Sequence, residues 1–213
     1  MTRFVAELVS GEALEKLRAY EALMRRINRR FNLVSPASAE VFWERHIEHC
    51  LVLASRPFPA GASVVDWGTG GGLPAVPLAI LFPAVQFTGV DSVGKKVHAV
   101  RMAARELDLS NLSAWNGRAE AWPGQAMFAV SRATAPLADL WTWSTSVGVG
   151  RAVPAPKSPG NWPAGLVCLK GGDLTAEIAD LHAAFPEARV DVQPISPMLP
   201  QAYFQEKCLV TVG

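Results

Sequence analysis

From Ser10 to Phe31, apolar residues return every three or four positions, at Leu14, Leu17, Tyr20, Leu23, Met24 and Ile27. That spacing predicts a helix with one buried stripe. The Phe31-Asn32-Leu33-Val34-Ser35-Pro36 stretch ends it, because a residue before proline is steered away from helical backbone. A second helix is expected over Ser38–Leu53, with Val41, Phe42, Ile47 and Leu51 inward. Beyond Pro57-Phe58-Pro59-Ala60-Gly61 the pattern changes. Short strand-like runs at Ala62–Val65, Gln86–Val90, Asn111–Trp115, Ala126–Val130 and Gly165–Leu169 alternate with helical segments. Those segments are Val76–Leu81, Val97–Leu107, Leu137–Ser146 and Thr175–Phe185. Such alternation predicts a doubly wound, mostly parallel α/β sheet. Val190–Ile195 and Tyr203–Val212 follow with no helix between them, so they are expected to close the sheet as an antiparallel pair. The chain is therefore read as an N-terminal helical extension (1–58) packed on an α/β domain (59–213).

The first predicted strand runs into Asp66-Trp67-Gly68-Thr69-Gly70-Gly71-Gly72-Leu73-Pro74. Strand, glycine turn and helix is how an open α/β sheet builds a nucleotide pocket at its carboxyl edge. The next strand ends in Asp91, a carboxylate placed to accept hydrogen bonds from both hydroxyls of a ribose. A dinucleotide fingerprint, G-x-G-x-x-G, would need a glycine at position 73, where the chain has Leu73. The D-x-G-x-G-x-G pattern from Asp66 to Gly72 instead resembles motif I of S-adenosylmethionine-dependent methyltransferases. A nicotinamide-dependent oxidoreductase and a purely structural glycine turn are the competing readings.

The whole-chain numbers narrow the choice. At 213 residues, half of them apolar, there is one sizeable core with length to spare for an appendage. A net charge of +1 gives no bulk basic field, so any nucleic-acid surface is local. One such patch is Arg25, Arg26, Arg29 and Arg30, on neighbouring turns of the first helix; a solvated basic face is its plain alternative. Cys50, Cys168 and Cys208 are scattered without a C-x-x-C pair, which argues against zinc and disulfides and fits a reducing compartment. Glu7 and Glu12 argue against a signal peptide, and no apolar run approaches a membrane span. A soluble cytoplasmic protein is the expectation.

The fourth strand ends in Ser131-Arg132-Ala133-Thr134. The D/N-P-P-Y/F loop of amine methylation is missing there, and no Pro-Cys exists to supply a pyrimidine nucleophile. A ring nitrogen with its own lone pair, such as guanine N7, needs neither device. Catalysis then reduces to positioning and charge placement.

With the pieces in place, the chain resembles the bacterial 16S ribosomal RNA guanine-N7 methyltransferases of the GidB/RsmG family. The matching residues run in order: Phe31-Asn32-Leu33, Arg45-His46-Ile47, Asp66 to Pro74, Asp91-Ser92-Val93-Gly94-Lys95-Lys96, Arg118-Ala119-Glu120, Ser131-Arg132-Ala133 and Leu169-Lys170-Gly171-Gly172. The resemblance implies a Rossmann-like class I methyltransferase fold and S-adenosyl-L-methionine as cofactor. It implies methyl transfer to a guanine in the decoding-region loop of 16S ribosomal RNA, on free RNA or the small subunit, with no DNA or membrane partner and a monomeric enzyme. Carried over by residue, Gly68, Gly70, Gly72 and Leu73 line the methionine side, Asp91 and Ser92 meet the ribose, and Ala119 and Glu120 border the adenine. Arg132 falls at the junction of cofactor and target; Arg118 and Lys170 are expected beside the entering RNA, and these three are the candidate catalytic residues. RNA contacts are expected from Arg25, Arg26, Arg29, Arg30, Arg45, His46, Lys95 and Lys96. His49 stands where many relatives have aspartate in R-H-I-x-D-S, Pro74-Ala75-Val76 replaces P-G-I, and the segment from 147 to 163 is longer than in many relatives. A non-catalytic RNA-binding assembly factor with a vestigial pocket is the remaining alternative.

Overall fold

A computed structural model describes residues 1–31, 40–132, 134–150, 160–163 and 165–213, without the side chains of residues 30 and 31. The Asn32-Leu33 motif, the expected helix start at Ser38, Ala133 and much of the 147–163 segment lie outside the described residues. The chain opens with a short helix α1 (Arg3–Leu8), which has too few residues to announce itself by periodicity. Thr2 caps it, its Oγ1 accepting from the Val5 amide at 3.4 Å. Helix α2 (Gly11–Phe31) follows and buries Leu17, Tyr20, Leu23, Met24 and Ile27, the predicted stripe.

The second helical segment departs from the plain α-helix expected. Trp43–Glu48 is π-helical, then one α turn, α3 (His49–Leu51), leads into a 3-10 turn at Val52–Ala54. Trp43 Nε1 donates to Glu48 Oε1 at 2.9 Å, a side-chain bond five residues long that spans the widened turn. Periodicity of apolar residues does not carry that information.

The sheet strands are β1 (Ser63–Trp67), β2 (Gln86–Asp91), β3 (Leu112–Asn116), β4 (Phe128–Arg132), β5 (Gly165–Gly171), β6 (Val190–Pro194) and β7 (Lys207–Val212). Their order is β3-β2-β1-β4-β5-β7-β6. β1 to β5 are parallel, and β7 runs antiparallel to both β5 and β6. The closing pair is as expected, except that Ala202–Phe204 forms a 3-10 turn ahead of β7. Because the chain moves outward from β1 to β3 and then returns to β4, the order reverses between β1 and β4. Ligands of open α/β sheets bind at that point, beyond the strand carboxyl ends.

Alternation along the strands builds two cores. Val64 and Phe128 point to one face; Val65 and Ala129 point to the other. The first face is covered by α4 (Ala75–Leu81), α5 (Gly94–Glu106) and the N-terminal helices, which share one apolar cluster. The second is covered by α6 (Leu137–Ser146) and α7 (Thr175–Ala184). All three cysteines are buried and free.

Asn111 fastens α4 to the sheet. Its buried Nδ2 lies 3.0–3.1 Å from the carbonyls of Ala79, Phe82 and Val85, at and just beyond the helix end. Asn111→Ala strands those acceptors, and urea denaturation is expected to show a loss of about 1–3 kcal/mol with unchanged slope.

Candidate functional site

The turn after β1 is built from three glycines in the left-handed region: Gly68 (φ +67), Gly70 (φ +59) and Gly72 (φ +103). Two of them also answer a packing demand. A Cβ on Gly68 would lie 2.1 Å from Cγ2 of Thr134, and one on Gly72 would lie 2.4 Å from Cγ2 of Val76. Gly68 thus allows the β4 loop to approach, and Gly72 allows α4 to start against the turn.

Asp91, at the end of β2, is buried and accepts from the Gly70 amide at 3.0 Å and the Val93 amide at 2.9 Å. Lys96 stands 3.6 Å from the same carboxylate. The carboxyl ends of β1 to β4 enclose a cavity of about 470 Å³, lined among others by Gly68, Asp91, Ser92, Arg118, Ala119, Glu120, Arg132 and Trp143. Trp143 meets Trp67 edge-on at 6.2 Å, and Trp122 does so at 5.6 Å. Trp67 is held from below by Ser144, whose Oγ accepts from Nε1 at 3.0 Å. The cavity is in the size range of small-molecule sites. A buried carboxylate for ribose hydroxyls beside a glycine-rich backbone turn suits a nucleoside with a charged tail.

Several expected residues meet here, and several do not. Gly68, Asp91, Ser92, Ala119, Glu120 and Arg132 border one cavity. Arg118 and Lys96 also face it, and Arg118 is exposed. Gly70, Gly72 and Leu73 shape the turn without lining the cavity; Leu73 is buried. Lys170 corrects its expectation most. It is buried, and its Nζ donates to Glu177 Oε2 and to the Ala135 carbonyl, both at 2.6 Å. Glu177 Oε2 also accepts from the Leu137 amide at the start of α6. The ammonium is engaged in holding the β4–α6 loop and does not face entering RNA.

Among the arginines of α2, Arg25 pairs with Glu21 at 2.9 Å and Arg26 with Glu106 at 2.5 Å. Arg29 is exposed, and the side chain of Arg30 lies outside the described residues. Exposed Arg45 sits over the Tyr203 ring at 4.6 Å, and Lys95 is exposed. His46 is turned inward, its Nδ1 2.9 Å from Arg132 Nη1.

Sequence reasoning missed three participants. Tyr20, an apparent core residue of α2, donates its hydroxyl to the Gly71 carbonyl at 2.9 Å. Burial holds its phenol well above the ordinary range, so the proton stays in place for that bond. Thr134 and Trp143 line the cavity. The only hint was the position of each, one at a strand end and the other on the helix that follows.

The charges behind the turn are strongly perturbed. Asp66 is fully buried and accepts from the Ala75 amide at 3.0 Å. Burial raises it to about 7, against the opposing pull of hydrogen bonding and of Arg132. His46 is lowered to about 4 and His49 to about 3, first by burial and then by the Arg132 charge. Both histidines are therefore neutral, and His49 supplies no negative charge where relatives carry aspartate.

Comparison with known proteins agrees with this geometry. Residues 13–157 match the GidB family model, described as rRNA small subunit methyltransferase G. The chain is 51% identical over 207 residues to a Salinibacter ruber protein named ribosomal RNA small subunit methyltransferase G, covering 96% of this chain and 94% of that one. It is 39% identical to the protein of that name from Chlorobaculum tepidum, covering 95% and 90%. Among solved structures, a SAM-dependent methyltransferase from Aquifex aeolicus superposes with a TM-score of 0.56 at 15% identity, over 87% of this chain and 96% of that one. The ribosomal protein L11 methylase of Lactobacillus delbrueckii gives 0.57 at 14% identity, over 79% and 78%. At such identities these two structures speak for the fold alone.

Three outcomes follow from the site. Unfolded Asp66 ionises near 3.8 and folded Asp66 near 7, so its stabilising contribution is present below about 4 and lost as pH rises towards 7. His46 and His49 act oppositely, contributing above 6.5 and losing that contribution as pH falls. Asp66→Asn removes only the first effect, so its melting temperature relative to wild type is expected to rise between pH 4 and pH 7. In a second comparison, Lys170→Met should melt several degrees lower because it leaves Glu177 unpaired. Arg118→Ala should melt as wild type but bind S-adenosylmethionine more weakly by calorimetry.

Proposed function

The chain belongs to the rRNA small subunit methyltransferase G family, and we propose on that footing that it methylates N7 of a guanine in the decoding-region loop of 16S ribosomal RNA. It is an S-adenosylmethionine-dependent ribosomal RNA methyltransferase, and its macromolecular substrate is 16S ribosomal RNA or the small subunit. The observation that carries the site assignment is that Asp91 and Arg132, from strands on either side of β1, line one cavity at the switch point.

The cofactor supplies an electrophilic methyl group on a sulfonium. Asp91 binds the ribose hydroxyls, while Ala119 and Glu120 border the adenine. Gly68 and the turn it opens leave room for the methionine portion. Guanine N7 carries an in-plane lone pair and loses no proton on methylation, so the chain needs no general base. Its task is alignment, which in well-oriented systems lowers a barrier by up to ~7–11 kcal/mol. Arg132 offers N–H donors at the mouth between β1 and β4, where O6 of the base or a phosphate accepts them. Neutral His46 and His49 keep that region from accumulating further positive charge.

The helical extension, residues 1–58, reaches the site through Tyr20 and His46, with Arg29 and Arg45 as its exposed RNA contacts and Lys95 of α5 as a third. The enzyme acts as a monomer in the cytoplasm. Among the described residues no helix is long and apolar enough to cross a membrane.

The test is tritium transfer from labelled cofactor to small-subunit ribosomal RNA that lacks its N7 methylation. Label is expected at one guanine N7, with Asp91→Ala and Arg132→Ala each reduced on the order of a hundredfold. Label on another base would keep the fold and cofactor and overturn the substrate. Cofactor binding without transfer to any RNA form would favour an assembly factor.

A further inference from the structure

Arg132 is tied to a residue 86 positions away, in the N-terminal extension, through the 2.9 Å contact between its Nη1 and Nδ1 of His46. Guanidinium nitrogens only donate, so Nδ1 accepts and the imidazole carries its proton on Nε2. Burial and the neighbouring positive charges of Arg132 and Arg45 favour that neutral form. The ring of Phe42 lies 5.1 Å from the imidazole, which fixes the direction of its lone pair. Nε2 is buried, as is Arg132 Nε, and neither makes a hydrogen bond within the described residues. With both nitrogens turned away from solvent, the imidazole has no polar atom to offer an RNA strand. An arginine on the cavity wall has four rotatable side-chain bonds, and this contact with His46 is what restricts them.

We propose that His46 is a positioning residue that acts on the transferred methyl only through Arg132, by accepting from Nη1 and holding the guanidinium at the junction of cofactor and base. This revises the expectation that His46 contacts RNA, and it rests on the methyl-transfer reading above. The π-helical turn, Trp43–Glu48, is the local feature that carries His46 to Arg132.

The experiment uses the full chain with His46→Leu, His46→Asn and His46→Gln, each alone and combined with Arg132→Ala. An asparagine Oδ1 can occupy the place of Nδ1 and accept; glutamine puts its amide nearer the place of Nε2. Expected are a kcat/KM loss of ~tenfold or more for His46→Leu and His46→Gln, and recovery to within ~threefold of wild type for His46→Asn. In the Arg132→Ala background, His46→Leu should cost less than ~twofold further, because the group it serves is gone. RNA affinity by filter binding should be unchanged in all three single variants.

Equal loss in His46→Asn and His46→Leu, full additivity with Arg132→Ala, or weakened RNA binding with normal turnover at saturating RNA would each overturn the proposal. Circular dichroism melts identify a variant that fails to fold; if His46→Leu does, the His46→Asn and His46→Gln pair still decides. Should wild type transfer no methyl to RNA, the functional reading has failed instead. The coupling of His46 to Arg132 is then read from S-adenosylmethionine binding by calorimetry, where the same non-additivity is expected and additivity rejects it.

Discussion

A chain that reverses at the end of a buried strand must find partners for the backbone groups it frees, and the turn from Gly68 to Leu73 is organised by that demand. The Thr69 amide donates to the Val90 carbonyl, the Gly70 amide to Asp91, and the Gly72 and Leu73 amides to the Thr69 carbonyl. The Gly71 carbonyl takes the Tyr20 hydroxyl, and the Ala75 amide, opening α4, takes Asp66. Apart from Thr69 within the turn, the partners come from three elements: Asp66 from β1, Val90 and Asp91 from β2, and Tyr20 from a helix of the N-terminal extension. The cavity at the carboxyl edge is the space left once the turn is satisfied in this way.

That arrangement explains why the N-terminal helices are inseparable from the site. They complete the apolar layer over one face of the sheet and reach the carboxyl edge with two polar groups, Tyr20 Oη and His46 Nδ1. One meets the glycine turn and the other meets Arg132. The glycine turn and Arg132 are thus both referred to the same helical layer, though they sit on different strands.

The electrostatics follow from burial more than from net charge. With a chain charge of +1, the site gains its character from a few desolvated groups: Asp66 raised, His46 and His49 lowered, and Lys170 matched by Glu177. Withdrawal of Lys170 into a structural pair leaves Arg132 and Arg118 as the arginines of the cavity wall. Arg118 and Arg132 present guanidinium groups, which bind acceptors in a planar, two-pronged manner, while the third cation of the wall, Lys96, stands against Asp91.

The amino-acid sequence by itself determined what depends on local backbone preference and short-range period. Alternating strands and helices, the glycine turn, Asp91 at the end of β2 and the antiparallel closing pair could all be read from it, because their cause lies within a few residues. The family motifs contain Gly68, Asp91, Ser92, Ala119, Glu120 and Arg132 of the cavity wall, and neither Thr134 nor Trp143. Tertiary structure alone decided which polar side chains face one another. Lys170 meets Ala135 and Glu177, Tyr20 meets Gly71, and His46 meets Arg132, pairings between elements brought together by packing. A lysine after a strand reads alike whether it faces RNA or a half-buried glutamate, and a tyrosine on an apolar stripe reads as core until its hydroxyl finds a partner. The physical reason is that burial and hydrogen-bond satisfaction are properties of the assembled layers.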